Sequence, residues 1–166
     1  KDFCRGCMKV VLIGLPNCGK STLFNQIAGY KAETGNFSGT TVTYIESRVR
    51  VAGEVLEVVD LPGAYSLDSG NPAEMETSRY LNSQDVDVVI NVADSTQLAP
   101  ALSLTFELLQ FQKPVILALN MIDEAAEDFR QPFYFCPVVA HDVHVLPHGG
   151  RVQLAANLMY VATEPL

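Results

Sequence analysis

Lys9–Ile13 (KVVLI) is an apolar run rich in β-branched residues that stops at Gly14, the pattern of a short buried strand. From Lys20 to Ala28 the apolar positions fall at Leu23, Phe24, Ile27 and Ala28, one face of a helix that Gly29 ends. The opening therefore predicts strand, loop, helix. Residues 30–39 have no hydrophobic period and are rich in Gly, Asn, Ser and Thr, so a mobile surface loop is expected. Thr41–Val51 and Val55–Val59 read as strands joined through Ala52, Gly53 and Glu54 into a hairpin. Asp60–Pro72 is a loop punctuated by Pro62, Gly63 and Gly70, and Ala73–Asn82 reads as a helix. Val86–Val92 (VDVVINV) predicts a buried strand, Ala99–Gln112 an amphipathic helix, and Val115–Leu119 (VILAL) another buried strand that ends at Asn120.

Strands alternating with helices imply an α/β fold, a mostly parallel sheet with helices on both faces. The hairpin adds one antiparallel strand. After Asp128 the pattern weakens, with Pro132 and Pro137 around the aromatic Phe133, Tyr134 and Phe135. Residues 152–161 fit a short helix or a strand equally. The expected organisation is a domain core over 8–128 and a divergent tail over 129–166, read as the last strand region of the same domain.

A length of 166 residues fits one domain. With 48% hydrophobic and 18% charged residues the chain can build a sizeable core, and global disorder is excluded. Its net charge of -8 weighs against a protein that coats nucleic acid. No apolar run approaches the roughly 18–20 residues that cross a bilayer, and no signal-peptide pattern stands at the start, so a soluble chain is expected. Cys4, Cys7, Cys18 and Cys136 form no dense framework, which points to a reducing compartment.

Gly14-Leu-Pro-Asn-Cys-Gly19-Lys20-Ser21 fits GxxxxGK[ST] and lies between the predicted strand and helix, the context the motif requires. Its glycines let backbone N–H groups turn inward as a nest for phosphate oxygens, and the helix N-terminus adds partial positive charge. Pro16, Asn17, Cys18 and Thr22 belong to the same nucleotide-binding run. Lys20 is placed to bridge the outer phosphates, and the Ser21 hydroxyl to ligate Mg²⁺. The bland alternative, a Gly-containing turn, does not explain both flanks. Asp60-Leu-Pro-Gly63 puts a carboxylate at the C-terminal edge of a strand, where ligands bind in open α/β sheets. Asp60 is expected to hold Mg²⁺ through a water, and the Gly63 N–H to meet a γ-phosphate. Asn120-Met-Ile-Asp123 follows the last buried strand. A carboxylate there accepts two hydrogen bonds from an N–H pair that guanine offers and adenine lacks, which makes rejection of the wrong base strong. An Asn helix cap beside a solvated Asp is the alternative reading. Met121 can lay its flexible thioether on a purine face.

These loops, in this order, resemble the nucleotide-binding motifs of translation-factor-type P-loop GTPases. The finer match, carried by MKVVLIGLPNCGKSTLFNQIAG, GNFSGTTV, DLPGAYSL, RYL, DVVINVADST and PVILALNMIDEA, is to the N-terminal G domain of the bacterial ferrous iron transport protein B (FeoB) family. The resemblance covers about Met8–Ala126. It implies a GTPase that takes GTP and GDP, requires Mg²⁺ and is stimulated by K⁺, at the cytoplasmic face of the bacterial inner membrane. The resemblance further implies that Thr41 closes onto Mg²⁺ and the γ-phosphate, with Thr40 beside it, and that Asn17 helps bind K⁺. The backbone carbonyls of Gly35 and Phe37 would complete the K⁺ shell. The expected partners are guanine nucleotide and the transmembrane region of the same transporter, which lies outside this sequence, so a fragment is expected. Nucleic acid is not an expected partner, and an oligomer stays open.

Ala64 stands where many GTPases carry a glutamine that orients the attacking water. Slow hydrolysis that relies on K⁺ and backbone positioning follows from that, with K⁺ supplying charge that an arginine finger otherwise provides. Two departures from the family pattern fall at Ala140-His141-Asp142, in place of a Ser/Thr-Ala pair, and in a short connection between Asp123 and Cys136. His141, His144 and His148 admit a metal cluster or a polar loop, and Cys4 and Cys7 have redox or zinc spacing without a second pair. Cys18 admits two readings, a thiol whose pKa the electropositive nest lowers or a small filler. Arg48 and Arg50 alternate on the solvated face of a strand. The remaining alternatives are a soluble GTP switch of the ribosome or RNA assembly type, and a module that binds nucleotide without hydrolysing it.

Overall fold

The computed structural model describes residues 7–29, 32–37, 40–51, 53–68, 70–82, 85–121, 124 and 134–138. Strands β1 (Met8–Gly14), β4 (Glu54–Asp60), β5 (Val88–Asp94) and β6 (Val115–Asn120) run parallel in the order β4-β1-β5-β6. β3 (Thr43–Val51) pairs antiparallel with β4, and β2 (Glu33–Asn36) antiparallel with β3. At the other edge β7 (Tyr134–Val138) pairs antiparallel with β6. The mixed, mostly parallel sheet agrees with the expectation, and β7 reverses direction at its far edge in addition to the hairpin strand.

Alternation along the central strands divides the core into two. Val10 and Leu12 of β1, Leu56 and Val58 of β4, and Ile90 and Val92 of β5 face α1 (Lys20–Ala28), whose Leu23, Phe24 and Ala28 are buried among them. The odd positions Val11, Ile13, Val59, Val89, Val115 and Leu117 face the opposite way. There they meet Leu81 of α2 (Pro72–Asn82) and Ala101, Leu104 and Leu108 of α3 (Leu98–Leu109). A period of two on strands and 3.6 on helices thus covers both faces of the sheet. Pro100 sits in the first turn of α3, where its missing N–H breaks no helical bond.

One element departs from the sequence reading. Residues 30–39 were expected to form a loop, yet Glu33–Asn36 is an edge strand in register with Thr43–Glu46. Its four residues are polar and almost wholly exposed, so no apolar alternation could reveal it. The ring of Tyr44 lies close over Gly35, where an added Cβ would come within 2.5 Å. Backbone pairing and that close approach make the strand. Among the described residues no helix is long and apolar enough to cross a membrane.

Candidate functional site

Gly14 ends β1 and Lys20 opens α1, so residues 15–19 arch over the C-terminal edge of the sheet. Two glycines make that arch possible. A Cβ at Gly14 would stand 2.3 Å from the carbonyl oxygen of Val92 and 2.7 Å from Cys18 Sγ. Gly19 has φ +86, and a Cβ there would stand 2.0 Å from Asn120 Nδ2. Asn17 also lies in the left-handed region, at φ 66, and so does Met121, at φ 57. Non-glycine residues held there mark a backbone fixed by its surroundings. No side chain caps α1, which leaves its first N–H groups available to an anion.

The arch borders a cavity of about 510 Å³ lined by Pro16, Asn17, Gly19, Lys20, Ser21 and Thr22 of the loop and helix, with Gly63 and Met121 opposite. Lys20 and Asp60 are buried and form an ion pair through Asp60 Oδ1. The same ammonium donates to the Leu61 carbonyl at 2.6 Å. Ser21 Oγ donates to Asp60 Oδ2 at 3.4 Å. The residues read from sequence as phosphate-binding and metal-binding are therefore side by side. Ser21 and Asp60 present hard oxygen donors at one point, a set that fits Mg²⁺. On the far side, Asn120 Nδ2 donates to the Cys18 carbonyl at 2.9 Å.

Asp60 leads into a loop in which several amides are held by groups outside it. Leu61 N donates to Leu12 O and Ala64 N to Gly14 O, both at 3.1 Å. Tyr65 N donates to Glu74 Oε1 at 3.0 Å, and Leu67 N to Glu107 Oε2 at 2.6 Å. Sequence reading missed Glu74 and Glu107. Each is an acid on a helix flank beside core positions, and nothing in the local pattern ties it to a loop; for Glu107 that loop lies 40 residues away.

Thr41 is exposed and Thr40 half-buried on the segment before β3. The Phe37 carbonyl accepts from Thr40 N at 3.2 Å and Thr40 Oγ1 at 3.3 Å. Gly35 lies within β2, opposite Tyr44. Phe37 itself is buried, with its ring 5.0 Å from Tyr44 and 5.8 Å from Tyr80. Burial pushes the Cys18 thiol above its usual range, although the Lys20 amide and ammonium pull the other way. Of the two readings of Cys18, the structure favours the small filler. Asp123, Cys4 and the three histidines lie outside the described residues, as does most of the tail over 129–166. Among the described residues no group of His, Cys, Asp and Glu forms a metal cluster.

A phosphate loop between the first strand and first helix, with a carboxylate closing the neighbouring strand, defines a G domain of the P-loop class. Residues 8–131 match the family described as ferrous iron transport protein B, and the chain belongs to that family. It is 43% identical over 121 residues to the Fe(2+) transporter FeoB of Campylobacter jejuni, a match that covers 73% of this chain and 20% of the relative. The chain thus spans about a fifth of that transporter's length. Among solved structures, the G domain of the T. maritima FeoB iron transporter superposes with a TM-score of 0.69 at 40% identity, covering 75% of this chain and 77% of that one. The T. maritima cytosolic domain in its GMPPNP form gives 0.68 at 42% identity, covering 71% and 47%.

Proposed function

We propose that this chain binds guanine nucleotide and hydrolyses GTP to GDP and phosphate, as the G domain of a ferrous iron transporter at the cytoplasmic face of the membrane. The observation that carries this reading is the grouping of Lys20, Ser21 and Gly63 at one cavity of about 510 Å³ bordered by the phosphate loop, with Asp60 bonded to both Lys20 and Ser21. A relative solved in a GMPPNP form supports it.

The loop amides and the N-terminus of α1 receive the phosphate oxygens. Lys20 exchanges Asp60 for the outer phosphates and neutralises charge as it builds up there. Ser21 and Asp60, with Thr41 brought in from the segment before β3, would hold Mg²⁺, which would supply positive charge at the phosphates. Asn17 and the carbonyls of Gly35 and Phe37 would hold K⁺, which would supply positive charge beside the phosphates; the Phe37 carbonyl, now accepting from Thr40, would have to be released for it. The Gly63 N–H orients the γ-phosphate. Met121 packs on the purine and Asp123 reads guanine. Ala64 is buried and its N–H is committed to Gly14 O, so no side chain at that position holds the attacking water. Backbone groups must do so, and hydrolysis is slow. The nucleotide state passes to the transmembrane part of the transporter.

The test is phosphate release from GTP with Mg²⁺, in KCl and in NaCl at equal ionic strength. K⁺ stimulation that disappears in Asn17→Ala supports the assignment. Equal rates in both salts remove the K⁺ role, and tight GTP binding without release turns the chain into a binding module.

A further inference from the structure

Residues 61–68 have no regular secondary structure, yet the amides of Leu61, Ala64, Tyr65, Leu67 and Asp68 each have a hydrogen-bond acceptor. Fixed carbonyls of β1 hold Leu61 and Ala64, and Glu74 of α2 holds Tyr65. The last post is Glu107. Its carboxylate accepts from Leu67 N at 2.6 Å and from Ser66 Oγ at 3.1 and 3.2 Å. The Ser66 hydroxyl in turn accepts from Asp68 N at 3.2 Å, so one carboxylate organises three successive residues. Glu107 rides on α3, whose Ala101, Leu104 and Leu108 are buried against the sheet. The post is therefore part of the rigid core rather than of the loop it holds.

We propose that Glu107 is a positioning residue for GTP hydrolysis: by holding Ser66 and Leu67 it anchors the far end of the loop whose Gly63 borders the phosphate cavity. The inference rests on the GTPase reading above. With alanine at position 64, no side chain there orients the attacking water, so the placement of the loop backbone weighs more on the geometry at the γ-phosphate. A displacement of about 1 Å at a reacting centre costs on the order of a hundredfold in rate. Glu107 is half-buried and borders a groove of about 220 Å³ between the loop, Ser78 and Asn82 of α2, and Phe111. Its removal leaves no buried charge unpaired, so the fold is expected to survive the substitution.

The test measures kcat, KM and GDP affinity for the 166-residue chain and its Glu107→Ala, Glu107→Gln and Ser66→Ala variants, each checked for folding by thermal melting. Glu107→Ala is expected to lower kcat by about tenfold with GDP affinity unchanged within about twofold, because GDP lacks the group the loop addresses. Glu107→Gln keeps an acceptor for Leu67 N and recovers most of the rate. Ser66→Ala loses one of the two contacts and falls between. Amide exchange at Leu67 should quicken in Glu107→Ala and return in Glu107→Gln. A folded Glu107→Ala that turns over at the wild-type rate overturns the proposal, and so does a loss of kcat matched by an equal loss of GDP affinity. A wild-type chain that releases no phosphate overturns the GTPase reading instead, an outcome visible before any variant is compared.

Discussion

The side-chain amide of Asn120 donates to the main-chain carbonyl of Cys18 at 2.9 Å, joining loops 102 residues apart in sequence. The bond ties the end of β6 to the phosphate loop, and its geometry requires Gly19 between the two. Gly19→Ala adds a Cβ 2.0 Å from Asn120 Nδ2 at a φ of +86. Strain of about 1–3 kcal/mol is expected, together with a loss of nucleotide affinity of at least about tenfold. Gly19→Ala combined with Asn120→Ala removes the clash but not the unfavourable φ, so thermal melts should show partial recovery. No recovery would mean that the backbone conformation alone sets the cost.

Lys20 and Asp60 present a second coupled pair, with side-chain exposures of 9% and 6%. Lys20→Met leaves the Asp60 carboxylate buried with Ser21 Oγ at 3.4 Å as its remaining side-chain donor. Breaking a buried pair from one side costs about 3–5 kcal/mol. The double variant Lys20→Met with Asp60→Asn removes the uncompensated charge and should regain most of that stability in denaturant titrations, with nucleotide binding still lost. A single variant as stable as the wild type would show that the pair contributes to ligand binding alone.

The central strands, helices α1, α2 and α3 and the phosphate loop were legible because burial imposes periods of two and 3.6 on them, and because GxxxxGKS demands a strand before it and a helix after it. What the sequence did not disclose was set by partners distant along the chain. β2 carries Glu33, Thr34, Gly35 and Asn36, whose polar side chains say nothing of the backbone pairing with β3. Likewise Glu107 reads as a charged position on an amphipathic helix, and only the packing of α3 brings it to Ser66 and Leu67. The pairing of Lys20 with Asp60 was hidden for a related reason. Both were legible as parts of one phosphate site, but each as a ligand for something else, and not as partners of one another.

Phe37, Tyr44 and Tyr80 meet in a three-ring cluster of tilted and edge-to-face contacts with centroids 5.0 to 5.8 Å apart, tying the segment before β3 to α2. Burial raises the Tyr80 phenol, and Tyr44, Glu57, Glu46 and Asp85 raise it further. A folded-state pKa above the unfolded value gives stability that is complete below the ordinary tyrosine value of 10.0 and lost as pH rises past it, because the unfolded chain ionises first. Melting temperature should therefore fall on raising the pH above that value, and Tyr80→Phe should flatten the fall. Ultraviolet tyrosinate absorbance provides the check. A Tyr80 that titrates at the ordinary value while the chain is folded would contradict this account.

Cys18 lies beneath Gly14 in the phosphate loop and is 1% exposed, whereas Cys7 is half-buried. Thiolate is the reactive form, and burial opposes it at Cys18 more strongly than Lys20 favours it. Alkylation followed by peptide mapping should label Cys7 before Cys18 at neutral pH, with Cys18 reacting only under denaturant. The linkage has the same sign as for Tyr80. Below the ordinary thiol value of 9.0 both states are protonated, and above it the unfolded chain ionises first, so this contribution to stability is lost as pH rises. Cys18→Ala should remove that part of the alkaline loss while leaving the loop's hydrogen bonds to Leu15 and Asn120 intact, since both use the Cys18 main chain. A Cys18 labelled as fast as Cys7 in the folded protein would mean that the nest, not burial, governs the thiol.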